Sequence, residues 1–299
     1  MPLLKLNELF VLANQKQGSR LVVAAAEDKA VLLAIREAML RFTISPVLIG
    51  RRDEIRSLMD EIKLDPTGFT LIDSVSVEDS AVKAVKVIHD GGGDILMKGN
   101  IQTGILLKTA LNKDFGLKHD GILSHFALFE VSTYHKLLGI TDAAMNIAPG
   151  LDEKRAIINN ACSVMHRLGI ELPKVAVLGP VETVNPKIES TVHASLLKDM
   201  NQRGEISGCI VEGPYSLDIA VSAEAAKHKG IVNTVAGDPD IILCPDLDTG
   251  NALYKSINFL AGGLVAAIIT GAHTPIVLTS RSDSEHSKLM SIALAAAMA

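Results

Sequence analysis

Short β-branched runs alternate with longer amphipathic stretches along almost the whole chain. Strands are predicted at 21–25, 46–49, 69–72, 95–97, 126–131, 175–178, 209–211, 241–243 and 275–278. Several of these runs are apolar at every position instead of every second one, the pattern of strands buried on both faces of a mainly parallel sheet. Between them, apolar residues recur at helical spacing over 28–41, 78–89, 152–168 and 284–297. Strand–helix alternation of this kind predicts an α/β layered fold with crossover helices. The most apolar stretch, 257–272, contains three glycines and is followed by His273 and Pro275. It is shorter than the about 20 residues of a membrane-spanning helix and is read as buried helix and turn. The segment 139–150 follows a strand, carries Pro149-Gly150 and leads into a helix with acids in its first turn, which places a domain boundary near residue 132.

Composition narrows the class. With 299 residues, 48% hydrophobic and 21% charged, the chain has ample core for one large or two moderate domains. A formal net charge of −5 gives no electrostatic case for a nucleic-acid or membrane partner. The three cysteines, Cys162, Cys209 and Cys244, lie far apart without metal-ligand spacing, and no secretory leader pattern opens the chain, so the expected setting is a reducing cytoplasm.

Several common chemistries lack their signatures: GxGxxG, the P-loop, HExxH and GxSxG are all missing. Polar groups gather instead where strands and helices meet. In 91–104, a buried strand delivers Lys98, Gly99 and Asn100 into a turn and Thr103 opens the next helix, an arrangement suited to phosphate or acyl-phosphate oxygen. A lysine merely ending a strand is the plainer account. Ser124 and His125 enter an otherwise apolar strand, where satisfying local backbone groups is an equal alternative. In CPDLDTGNALYK, Asp246 ends a strand and Asn251 sits beside a helix start; capping explains part of that pattern. Two strands also end in Gly-Pro, in VAVLGPVE and GCIVEGPYS, as turns that line sheet edges do. The segment TSRSDS, 279–284, carries the most weight. Arg281 is not needed for capping, stands among hydroxyls at a strand end, and can clamp a phosphoanion bidentately.

Taken in order, these segments resemble the phosphate acetyl/butyryltransferase family, and most closely its butyryl branch. The matching stretches include LMKGNIQT, GLKHDGILSHFALFE, TDAAMNIAPGLDEK, VLGPVETVNPKI, VEGPYSLDIA, CPDLDTGNALYK and TSRSDS, which together cover the chain from about residue 10 to its end. The resemblance implies two α/β/α domains with a central cleft holding the active site, similar to isocitrate and isopropylmalate dehydrogenases. The C-terminal strand and helix return to the first domain, giving 1–132 plus 275–299 and 133–274. It implies acyl exchange between coenzyme A and inorganic phosphate without a further cofactor or metal, in a homodimer or higher homo-oligomer.

The family's serine–arginine pair maps onto Ser280 and Arg281, with an acid at Asp283 as candidate base. Lys98, Gly99, Asn100, Thr103, Ser124, His125, Asp246 and Asn251 form the candidate substrate-binding set. The acetyl branch places its catalytic aspartate near Ser287 instead, and Lys118 stands where that family's arginine is expected, so Lys118 is left out of the set. Phosphate acetyltransferase is the nearest alternative. A noncatalytic CoA- or acyl-phosphate-binding protein is another, and a dehydrogenase of the same architecture is the weakest.

Overall fold

A computed structural model of the chain describes residues 3–16, 18–117, 121–278 and 283–299. The chain forms two compact units. One holds Asn7–Gly121 and Ala266–Ala299; the other holds Ile122–Val265 with the first residues up to Leu6.

The first unit opens with α1 (Leu9–Gln15). It then alternates β1 (Ser19–Ala24), α2 (Lys29–Arg41), β2 (Ile44–Gly50), α3 (Arg52–Glu61), β3 (Thr70–Asp73), α4 (Val77–His89), β4 (Ile95–Lys98) and α5 (Thr103–Ala110). These strands lie parallel in the order β3-β2-β1-β4, with Val22 registered against Val47 on one side and Leu96 on the other. Leu21 to Ala24 are fully buried, which explains why this strand reads as continuously apolar. Local signals agree with the helix starts: Asp28 accepts from the Ala30 and Val31 amides at 2.9 and 3.1 Å, and Ser76 accepts from Asp79 at 3.1 Å.

The second unit contains β5 (Ser124–Glu130), β6 (Leu138–Thr141), α6 (Leu151–Arg167), β7 (Lys174–Leu178) and α7 (Glu189–Gln202). It continues with β8 (Ile210–Tyr215), α8 (Leu217–Val221), α9 (Ala223–His228), β9 (Ile241–Leu243) and α10 (Leu247–Lys255). Its strand order is β5-β6-β9-β7-β8, with β5 antiparallel to β6 and the others parallel.

After Val265 the chain returns to the first unit through β10 (Leu264–Thr270), β11 (Ile276–Val277) and α11 (Glu285–Met298). Strand β11 extends the parallel sheet beside β4, and β10 runs antiparallel to β11. Helix α11 packs on α1 and α2, and every residue from Ser287 to Met298 is buried.

One expectation is corrected here. The stretch 257–272 was expected as buried helix and turn, yet Leu264–Thr270 is a strand, buried from Val265 to Ile269. A wider π-helical turn at Ser256–Leu260 closes the preceding helix, and Gly262-Gly263 separate it from LVAAIIT. A short, fully apolar run has no period that distinguishes strand from helix, so the β-branched Val and Ile were the discriminating signal. Strand β6 was absent from the sequence expectation because Gly139 interrupts its apolar run. No helix among the described residues is long and apolar enough to cross a membrane.

Candidate functional sites of the two units

In the first unit the chain winds from β1 to β2 and β3 on one side, then crosses to β4 on the other. The β1/β4 boundary is therefore the switch point of the sheet, where outgoing loops diverge and ligands are held in open α/β folds. Lys98 is the last residue of β4 and is buried, with Nζ 3.4 Å from the Gly99 carbonyl. The next two amides are not free for a ligand. Gly99 N–H donates to Ala24 and Asn100 N–H to Ala25, at 2.9 and 2.6 Å. These bonds stitch the loop after β4 to the loop after β1. The approach is so close that a Cβ at Gly99 would stand 2.1 Å from the Ala25 carbonyl oxygen, which accounts for glycine there. Thr103 is the first residue of α5, following Gln102 at the N-cap, and is exposed.

Glu27 lies on the loop after β1, and sequence reasoning did not single it out. Its side chain is only 8% exposed. Oε1 accepts from the backbone and Nε of Arg51, while Oε2 is buried without a hydrogen-bond partner among the described residues. An acid two residues past a strand reads in sequence as ordinary loop polarity, so no local signal marks it.

At the far end of this unit, Asp283 is half-buried, and its carbonyl oxygen accepts from the buried Lys288 Nζ at 2.6 Å. Ser284 caps α11, accepting from the Ser287 amide at 3.0 Å. Ser287 is thereby committed to the cap, its hydroxyl 3.0 Å from that of Ser284. Ser280 and Arg281 lie outside the described residues, as does Lys118.

In the second unit, the carboxyl ends of β6 and β9 carry Asp142 and Asp246. Asp142 is 3% exposed and organises the loop that follows it. Its carboxylate accepts from the amides of Ala144, Met145 and Asn146 at 2.9, 2.9 and 3.1 Å, and from the Asn146 side chain. Asp246 caps α10, accepting from Thr249 at 2.8 Å, so the plainer capping account holds for it. Asn251 lies half-buried further along that helix. Between them, Gly250 brings α10 onto the Asp142 loop, and a Cβ there would stand 2.2 Å from the Asp142 carbonyl oxygen. Gly250→Ala is expected to destabilise the protein. Helix propensity favours alanine by about 1 kcal/mol, but overpacking against a fixed carbonyl costs about 1–3 kcal/mol. A thermal melt of the variant checks the sign.

Ser124 and His125 open β5 and point to opposite faces. Ser124 is fully buried, its hydroxyl accepting from Asn160 of α6 at 3.0 Å. His125 packs edge-on against Tyr254 of α10. Burial pushes its pKa down to about 4, opposed by the nearby Asp142 carboxylate. Cys244, beside these polar turns, is buried; burial pushes its thiol pKa up, and Asp142 and Asp246 add to the effect. Such a thiol is a poor nucleophile.

Lys154, in the first turn of α6, is a further residue that the sequence did not reveal. It is 4% exposed, with Nζ 3.0 Å from Nδ1 of His193 at the start of α7. Burial lowers the pKa of both groups, and the Lys154 charge lowers His193 further. In sequence, LDEKR reads as a solvated helix start. Among the described residues no group of three or more His, Cys, Asp or Glu side chains is placed to hold a metal ion.

Two α/β units with polar residues collected at strand ends define a ligand-handling protein of the layered α/β class. Comparison with known proteins narrows this. A sequence profile described as phosphate acetyl/butaryl transferase matches residues 74–296. The chain is 42% identical over 293 residues to the phosphate butyryltransferase of Clostridium acetobutylicum, covering 98% of this chain and 97% of that one. It is also 42% identical over 294 residues to the phosphate acetyltransferase of Thermotoga maritima, covering 98% and 99%. Among solved structures, a branched-chain phosphotransacylase from Enterococcus faecalis superposes with a TM-score of 0.82 at 32% identity, covering 94% and 98%. A 4-hydroxythreonine-4-phosphate dehydrogenase from Klebsiella pneumoniae, at 12% identity and a TM-score of 0.56 over 94% and 99%, shares the fold alone. The chain belongs to the phosphate acetyl/butyryl transferase family.

Proposed function

We propose that this protein exchanges a short-chain acyl group between coenzyme A and inorganic phosphate, with butyryl-CoA and phosphate giving butyryl phosphate and CoA. The observation that carries this reading is family kinship along essentially the whole chain, which brings every candidate segment with it. In the forward direction a phosphate oxygen attacks the thioester carbonyl carbon. The new C–O bond forms, the C–S bond breaks, and the CoA thiolate leaves and takes up a proton. In the reverse direction a base removes the thiol proton before sulfur attacks the acyl phosphate.

Arg281 is assigned to the phosphoryl group and its developing charge, Ser280 to the carbonyl oxygen or leaving phosphate, and Asp283 to the proton or to orienting the thiol. Lys98, Asn100 and Thr103 support the phosphate. The buried Cys244, with its raised pKa, favours direct transfer over an acyl-enzyme. The reaction as written needs no further cofactor, and we assign the protein to the cytoplasm as a homodimer or higher homo-oligomer.

The test is thiol release from butyryl-CoA by the purified protein, with and without phosphate, followed by a chain-length series. Phosphate-dependent release fastest at four or five carbons is expected. The acetyl reading has one specific support, the equal 42% identity to the Thermotoga maritima acetyltransferase. Release fastest with acetyl-CoA decides for it. Saturable CoA binding without release makes the protein a binder and removes the catalytic roles.

A further inference from the structure

Two features on one face of the second unit fit each other in size and chemistry. Beside α10 lies an apolar hollow of about 200 Å³. The buried Leu138 of β6 and Ile242 of β9 form its floor. Its walls are Leu217 and Val221 of α8, with Leu253 of α10 and Ile257 of the π-helical turn that follows. None of the residues lining it is charged. The same turn also carries a projection: Phe259 and Leu260, between Ile257 and Ala261 of the hollow, are 61% and 86% exposed. From Ser256 to Leu264 the chain has no charged residue.

An apolar helix stripe at i, i+4 and i+8, here Leu253, Ile257 and Ala261, ordinarily packs on another element. A phenyl ring and an isobutyl group held in water beside that stripe add to the uncovered surface, the mark of an interaction site on a folded chain. Hollow and projection lie within one turn of each other. A two-fold axis between them therefore places the projection of each copy in the hollow of the other, a closed and self-complementary contact. Size agrees as well, because a cavity of about 150 Å³ takes a benzene ring. A lipid surface could accept the projection but would bring nothing to fill the hollow.

We propose that this face is the two-fold interface between copies of this chain, with Phe259 and Leu260 of each copy seated in the hollow between α8 and α10 of the other. The inference rests on the homo-oligomer assignment above and is independent of the acyl-exchange reading. Phe259 is the anchor: an aromatic side chain in a desolvated pocket near the centre of a contact carries much of its binding energy.

Sedimentation velocity of the wild type and of the double variant Phe259→Asp, Leu260→Asp tests this. The wild type is expected to associate, and the double variant to dissociate at least about thirtyfold more readily while its circular dichroism is unchanged. Both positions are exposed within one copy, so the aspartates meet solvent in the separated chain. A cross-link gives a second readout that does not need the double variant to fold. Co-expressed Leu260→Cys and Leu217→Cys chains, distinguished by mass, are expected to be joined by a short bismaleimide as mixed dimers. An oligomeric wild type that the double variant leaves intact, or the absence of mixed cross-linked dimers, overturns the interface and leaves the homo-oligomer assignment standing. A wild type that is monomeric at micromolar concentration overturns both. Flotation of that monomer with phosphatidylcholine vesicles, lost in the double variant, would give the face to a lipid surface instead.

Discussion

Arg281→Ala is expected to lower phosphate-dependent turnover of acyl-CoA by about 10²–10³ or more while leaving the thermal midpoint unchanged. A guanidinium offers two parallel donors that match a phosphoryl group, and its charge meets the charge that develops as the acyl–phosphate bond forms or breaks. The described residues that follow it are held by contacts of their own. Ser284 caps α11 through Ser287, and Lys288 holds the Asp283 carbonyl. Arg281→Lys keeps the charge but loses the fork, so it should fall between wild type and alanine. Steady-state kinetics beside a melting curve makes the check. Near-wild-type turnover in the alanine variant would remove Arg281 from the mechanism.

The largest effect on stability is expected at Asp142. Its carboxylate serves three backbone amides and the Asn146 side chain, which itself also donates to the Leu123 carbonyl at 2.9 Å. Alanine leaves all of these donors without their charged acceptor. At about 1.5–3 kcal/mol for a hydrogen bond to a charged group, partly recovered by water at the more exposed amides, Asp142→Ala should cost about 2–4 kcal/mol. Asp142→Asn keeps one acceptor oxygen and should cost less. Urea unfolding measures both; an unchanged midpoint in the alanine variant would mean that the loop is held by other contacts.

How far sequence leads here depends on what each position has to reveal. The β1 and β9 strands were legible because both faces are buried and the runs are short, apolar and bounded by turns. The starts of α2 and α11 were legible because Asp28 and Ser284 announce them chemically. Strand β10 was misread because a fully buried segment has no polar face to set its period. The candidate site divides in the same way. Lys98, His125 and Asp246 stand at strand ends, where a reader of sequence looks first. What each does there is decided by tertiary partners that no spacing encodes: the Ala24 and Ala25 carbonyls that occupy the amides after Lys98, the Thr249 amide that takes up Asp246, and the ring of Tyr254. Glu27 and Lys154 were missed for the converse reason, since nothing in their neighbourhoods announces that a charged side chain is buried.

Helix α11 also carries a consequence for the order in which the protein becomes whole. It is buried all round, and it packs against two helices from the opposite end of the chain, α1 and α2. A ribosome releases α1 and α2 long before it makes their partner. The unit built from Ile122–Val265 has nearly all its residues in hand first, so it can close while the N-terminal segment still waits with apolar surface uncovered. The last helix thus acts as the closing stitch of the first-made part, and a chain truncated before it would leave apolar surface uncovered on α1 and α2, near its beginning.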